Sequence, residues 1–319
     1  MPSTVTVTAP SRLHFGLLGF GGASERQFGG VGVMIEQPSL QLRIAPADRL
    51  SVHGLAHERV SRFVEHWSAF HELDHPLACR IYVLHAPRSH IGLGSGTQLG
   101  LAVAAGLNRF LDREVSVIET ARSAGRGLRS AVGTYGFFQG GLIWERGKTN
   151  GEAISPLEQR VAIPGTWRFV VICPKQQVGL SGEGERTAMA RLPPVPVETQ
   201  NRLVAIVEDR MLPAVAREDC DEFGEAVFEF GRVSGEAFAP IQGGAYNGAR
   251  LEHLVERIRE NGGVGVGQSS WGPALYVIVP GEKNAQFTID QLRETGELDD
   301  TDIWISGPDN QGARITIEG

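Results

Sequence analysis

His90-Ile91-Gly92-Leu93-Gly94-Ser95-Gly96-Thr97-Gln98 stands directly before Leu99, Val103, Leu107, Phe110 and Leu111, an apolar stripe at helical spacing. A glycine-rich turn that opens a strong helix leaves the first N–H groups of that helix without intrahelical partners, and the helix dipole favours negative charge there. Gly92, Gly94 and Gly96 allow close backbone approach, while the Ser95 and Thr97 hydroxyls add donors, so the turn reads as a phosphate or pyrophosphate site. Arg88 and His90 bring positive charge beside it. No Gly-Lys-Ser/Thr follows, so the turn is not a Walker A loop. No G-x-G-x-x-G follows the first strand either, which argues against a doubly wound dinucleotide fold.

Working outward, Thr4 to Ala9 alternates Thr with Val as a strand that Pro10 is expected to end, and Ser39–Ala45 and Cys79–Leu84 read as further strands. Val60, Phe63, Val64, Trp67 and Phe70 mark a helix over 58–72. A polar passage from Gly147 to Gly165 separates these elements from a strand at Trp167–Cys173, followed by helices around 197–211, 219–233, 248–261 and 284–295 and strands at 274–279 and 303–306. Irregular interleaving of this kind predicts an α+β chain of two lobes, 1–160 carrying the glycine turn and 161–319.

The chain has 319 residues, enough for two domains at about 150 residues each, and its 41% hydrophobic and 21% charged composition is that of a globular protein. A formal charge of −7 argues against nonspecific coating of nucleic acid or anionic membrane, so phosphate must be gripped locally. No stretch approaches the roughly 18 apolar residues of a membrane span, and the N-terminus lacks a secretory pattern. Cys79, Cys173 and Cys220 are far apart and fit buried thiols in a reducing cytoplasm, which is the expected location. The histidine pairs His53/His57 and His71/His75 border an amphipathic segment and read as a solvated face.

The strings Ala9-Pro10-Ser11-Arg12-Leu13-His14-Phe15-Gly16, Pro87 to Gln98, and Gly263 to Gly272 resemble, in order, the three motifs of the GHMP kinase superfamily. Within it, Arg12-Leu13-His14-Phe15-Gly16-Leu17, Phe28-Gly29-Gly30-Val31-Gly32, Gly92 to Leu99 and Gly267-Gln268-Ser269-Ser270-Trp271-Gly272-Pro273 look like signatures of the beta-ribofuranosylaminobenzene 5'-phosphate synthase family. That resemblance spans nearly the whole chain. It implies the two-lobed GHMP fold, a homodimer, and a reaction of methanopterin biosynthesis: phosphoribosyl pyrophosphate joins 4-hydroxybenzoate or 4-aminobenzoate with loss of pyrophosphate and carbon dioxide. A GHMP-type ATP-dependent kinase is the alternative, and a sensor without turnover is a third. The segment from Arg129 to Gly141, where kinases with a carboxylate base carry an Asp, has no acid.

Forming the carbon–carbon bond needs no protein nucleophile; it needs pyrophosphate held, two substrates oriented and separated charge stabilised. Arg12 and His14, two residues apart past the first strand, are the expected catalytic pair, one neutralising phosphate or carboxylate and the other acting as acid or base. Arg26 and Gly30 lie in a second glycine cluster expected against substrate, and Gln98 is expected to hydrogen bond to it. Arg126 and Arg129 are further candidates for closing on phosphate. Gln268, Ser269, Ser270 and Trp271 offer an amide, two hydroxyls and an aromatic face for a flat benzoate ring. Glu183 and Glu185 are the expected ligands of Mg²⁺.

Overall fold

The computed structural model of the chain describes residues 3–21, 26–177, 179 and 182–318. In chain order the elements are β1 (Thr4–Gly19), β2 (Phe28–Pro46), β3 (Ser51–Gly54), α1 (His57–Phe70), β4 (Cys79–His85), α2 (Ser95–Phe110), α3 (Val117–Ser123), α4 (Val132–Gln139), β5 (Leu142–Glu145) and β6 (Leu157–Val161). The second part holds β7 (Arg168–Pro174), α5 (Gly182–Ala190), α6 (Val197–Ala205) running on through a π-helical turn, α7 (Leu212–Ala216), α8 (Cys220–Glu236), α9 (Ala239–Gln242), α10 (Ala249–Glu260), β8 (Gly265–Gln268), β9 (Leu275–Val279), α11 (Glu282–Glu294), β10 (Thr301–Ser306) and β11 (Arg314–Glu318).

Among the described residues two sheets form. One has seven strands in the order β11-β1-β2-β4-β3, with β5 joined to β2 and β6 to β5; the other has four, in the order β10-β7-β9-β8. The architecture is α+β, as expected. The last strand departs from a simple division of the chain: β11 returns to the first sheet antiparallel to β1, Thr4 opposite Glu318. Pro10 does not end the first strand. It sits at a register shift between Ala9 and Ser11, where a residue without an N–H breaks no ladder bond, and β1 runs on to Gly19. A second shift between His14 and Gly16 bends the strand under the cleft described below.

Buried side chains on α1 and α2, among them Val64, Trp67, Val103 and Leu107, cover one end of the first sheet, against Val7, Leu42 and Ile44. At the other end, Leu13, Phe15, Val31 and Val33 join Trp167, Phe169, Phe223, Phe230 and Tyr276 in one continuous core. This shared core fixes the two sheets to each other, so a cleft between them has rigid walls. The late glycine string Gly263–Gly272 is in part strand β8, paired with β9 from Gly265–Ile278 to Gln268–Leu275, and residues 269–272 turn out of the sheet. Cys79, Cys173 and Cys220 are free and buried. No helix among the described residues is long and apolar enough to cross a membrane.

Candidate functional site

The glycine turn opens α2 as its sequence implies, with Gly94 as the capping residue. Gly94 is left-handed, with φ 70°, and its carbonyl takes the Thr97 and Gln98 N–H groups at 2.9 and 3.0 Å. No carbonyl among the described residues takes the Ser95 or Gly96 N–H, so two backbone donors stay open toward a cavity of about 630 Å³. Arg12, Arg59 and Arg126 line this cavity, with His90, Gly92, Ser95, Gly96 and Thr97 forming its floor. Burial lowers the Arg12 guanidinium to about 10, against attraction from Glu185 and Glu145; burial and the neighbouring Arg59 and Arg129 lower Arg126 to about 10 as well. Both remain charged at neutral pH. Among the described residues Arg12 Nη1 and Arg126 Nε are buried without hydrogen-bond partners, and a polyanion would complete them.

The cavity opens through Arg12, Thr97 and Arg126 into a larger one of about 1040 Å³ whose lining is mixed, polar along Arg129, Ser130 and Gln268 and apolar along other stretches. Leu17, Met189, Phe238, Tyr246 and Trp271 line it. The Trp271 and Phe238 rings meet edge to face at 4.8 Å, which presents a flat aromatic wall. Tyr246 Oη is buried and unpartnered. Gln268 and Ser270 border the same space, Gln268 accepting the Asn247 N–H at 2.6 Å and donating to Ser270 O at 2.7 Å, so it shapes the turn that carries Trp271.

His14 lines the larger cavity on the same side as Arg12. Burial, then the Arg12 charge, holds its pKa well below the ordinary histidine value, so the ring is neutral at pH 7. Nε2 lies 3.0 Å from Ser130 Oγ. Gly30 is not among the residues lining either cavity: it lies in β2 beneath the imidazole, where a Cβ would stand 3.0 Å from Nε2 and Cε1 of His14 and 2.8 Å from Gly16 O. Gly30→Ala should therefore displace the ring and lower turnover about 10²-fold with little change in donor affinity, measured by steady-state kinetics alongside direct binding.

Several residues expected at the ligand serve to fasten the lobes. Ser269 is fully buried; its hydroxyl donates to Gly92 O at 2.7 Å and accepts the His14 N–H at 3.0 Å, clasping the second lobe to the glycine turn. Arg88 pairs with Asp302 at 3.0 Å and donates to Lys175 O at 2.7 Å, which turns it away from the cavity. Gln98 is buried and donates to Gly133 O at 2.9 Å, joining α2 to α4 in place of the expected substrate contact. Arg26 donates to Gly147 O and Glu152 and is not among the residues lining either cavity. Glu185 borders both cavities and pairs with Arg129 at 2.7 Å; the side chain of Glu183 lies outside the described residues.

Sequence reasoning missed two groups. Arg59 on α1 reaches the anion cavity from a helix whose pattern signals only packing. Glu145, just past the acid-free segment, ends β5 fully buried with Oε1 accepting the Ala131 N–H at 2.7 Å. Oε2 is buried with no hydrogen-bond partner among the described residues. Burial raises this carboxyl from the ordinary 4.5 to about 7, against the hydrogen bond from the Ala131 N–H. Its contribution to stability is thus complete below pH 4.5 and lost as the pH rises through 7. A lone acid closing the apolar run Leu142-Ile143-Trp144 was the available signal.

Residues 211–298 match the family described as GHMP kinases C terminal. The chain is 27% identical to beta-ribofuranosylphenol 5'-phosphate synthase of Methanothermobacter thermautotrophicus, over 96% of this chain and 97% of that protein. It is 28% identical to the protein of the same name from Archaeoglobus fulgidus, over 84% and 86%. Homoserine kinase of Cytophaga hutchinsonii superposes with a TM-score of 0.65 over 98% and 97% of the two chains at 15% identity. Mevalonate pyrophosphate decarboxylase of Streptococcus pyogenes does so with 0.67 over 97% and 98% at 11% identity.

Proposed function

We propose that this chain, which has the GHMP kinase fold and is related along nearly its whole length to the beta-ribofuranosylphenol 5'-phosphate synthases, catalyses the same class of reaction: decarboxylating transfer of a phosphoribosyl group to a benzoate. The observation that carries the reading is one cleft with two unlike chambers meeting at Arg12, a cationic one with open backbone N–H donors and a larger one that sets aromatic side chains among polar groups. The first suits the diphosphate of phosphoribosyl pyrophosphate; the second suits the ring of 4-hydroxybenzoate or 4-aminobenzoate.

In this reading the bond from ribose C1 to diphosphate oxygen breaks, the diphosphate leaving with the electron pair. The ring carbon bearing the carboxylate bonds to C1, and the C–CO₂ bond then returns its pair to the ring. The Ser95 and Gly96 N–H groups, Arg12 and Arg126 stabilise the departing charge, and fixed donors need no rearrangement as it develops. Arg12, between the chambers, also faces the benzoate carboxylate. His14, neutral and beside Arg12, exchanges a proton with the 4-substituent as the ring gains and loses positive character.

Mg²⁺ belongs to the same proposal. One carboxylate beside the diphosphate chamber, that of Glu185, fits an ion that usually keeps water and substrate phosphate as most of its ligands. It would add charge neutralisation at the diphosphate. A cytoplasmic homodimer completes the reading. The test is incubation with Mg²⁺, phosphoribosyl pyrophosphate and carboxyl-¹⁴C-labelled benzoate, with ATP consumption followed in parallel. Release of ¹⁴CO₂ without ATP use is the expected result; ATP consumption with a phosphorylated acceptor, or binding without either product, would overturn it.

A further inference from the structure

Arg59 reaches the anion chamber from the first turn of α1, and its guanidinium lies over the start of α2: a Cβ on Gly96 would stand 2.7 Å from Arg59 Nη2. Nη1 donates to Ser89 Oγ, which holds the fork from the loop ahead of α2. Phe63, one turn further along α1, lies against α2 at Gly100, where a Cβ would meet its Cε1 at 3.0 Å. Arg126 stacks on that Phe63 ring at 4.8 Å. Residues 59 and 63 share one face of α1, and residues 96 and 100 share one face of α2. The two glycines thus form a groove on α2 into which α1 delivers one guanidinium directly and a second by way of an aromatic ring.

The three guanidiniums of the chamber are not equivalent. Arg12 and Arg126 border both cavities, whereas Arg59 borders the smaller one alone, together with Ser95 and Gly96. Among the described residues no carboxylate pairs with Arg59; Glu185, which borders the chamber, pairs with Arg129 at 2.7 Å. A fork so placed suits negative charge at the end of the chamber away from the aromatic side chains. In the donor reading proposed above, on which this step rests, the phosphate bonded to ribose C1 lies at the junction beside Arg12, because C1 faces the acceptor. The second phosphate then extends along the start of α2 toward Arg59.

We propose that Arg59 is a ligand of that terminal phosphate and makes the chamber select a diphosphate over a single phosphate. A single phosphate at the junction is met by Arg12, Arg126 and the open N–H groups, and it leaves Arg59 without a counter-charge. A diphosphate satisfies all three guanidiniums. Gly96 contributes at one remove. A side chain there pushes the Arg59 fork off its seat at little cost to the fold, since the displaced atom is the far end of a long side chain.

The test is calorimetric titration of the full chain with inorganic pyrophosphate and with inorganic phosphate, in metal-free buffer and without acceptor. The wild type should bind pyrophosphate at least about tenfold more tightly than phosphate. Arg59→Gln should weaken pyrophosphate about tenfold or more and phosphate less than about twofold. A guanidinium acting only as a distant charge would weaken both anions, so lost selectivity marks a direct contact. Gly96→Ala keeps the N–H donor and favours the helix, and by displacing Arg59 it should reproduce the Arg59→Gln loss. In the double variant the second substitution should add less than about twofold. Equal wild-type affinity for the two anions, a parallel loss of both in Arg59→Gln, or full additivity of the two substitutions overturns the inference. Pyrophosphate binding needs no turnover, and release of ¹⁴CO₂ does not depend on Arg59 being the ligand, so failure of this assignment and failure of the transfer reaction give different results.

Discussion

Arg12→Ala is expected to lower kcat/KM by about 10²–10³-fold while leaving the melting temperature unchanged or slightly raised. The size follows from the position of the guanidinium at the junction of the two chambers, where it meets both the departing diphosphate and the acceptor carboxylate; removing one preorganised donor from such a site costs about 3–4 kcal/mol of transition-state stabilisation. The lack of a stability penalty follows from the same burial. Nη1 has no partner among the described residues, so its loss removes a desolvated charge and breaks no bond there, and the backbone N–H that holds Leu93 O at 3.0 Å remains. Arg12→Lys should recover only part of the loss, because a point ammonium cannot reproduce the planar fork. Steady-state kinetics with thermal unfolding checks both halves, and a variant that loses activity only as far as it loses stability would remove Arg12 from the chemistry.

Gly94→Val is expected to weaken donor binding more than 100-fold, about 2.7 kcal/mol, in calorimetric titration with phosphoribosyl pyrophosphate. At φ 70° a β-branched residue is strained by about 1–3 kcal/mol, and its Cβ would stand 3.1 Å from Arg12 Cβ and 3.2 Å from its Nε. The turn must shift, and with it the Ser95 and Gly96 N–H groups and the Arg12 guanidinium. The melting temperature should fall by only a few degrees. Unchanged donor affinity would show that the diphosphate sits elsewhere. Paired with Arg12→Ala, this variant separates loss of the binding turn from loss of the charge that serves the reaction.

What the sequence discloses and what it conceals follow from the range of the interactions. The helix after Gly94 and the alternation from Thr4 to Ala9 are local patterns, and both appear in the structure. Pro10 misleads because its effect depends on a bulge defined by the partner strand β2. The Gly29–Gly32 string looks like a place for ligand but is strand, and its Gly30 is needed because His14 lies against it. Arg88, Gln98 and Ser269 have the right chemistry for ligands. Their partners, however, are at Asp302, Gly133 and both Gly92 and His14, separations that no window of sequence connects. Glu145 is the reverse case, a residue in an apolar run whose burial appears only when β5 pairs with β2 and the carboxylate takes the Ala131 N–H.

The measurement that tests the central claim most directly is a crystal structure of the protein with phosphoribosyl pyrophosphate bound. The account predicts diphosphate oxygens within hydrogen-bonding distance of the Ser95 and Gly96 N–H groups and of Arg12, with ribose C1 facing the aromatic chamber that holds Trp271. Donor bound away from the start of α2, with those two N–H groups turned to protein or solvent, would contradict it.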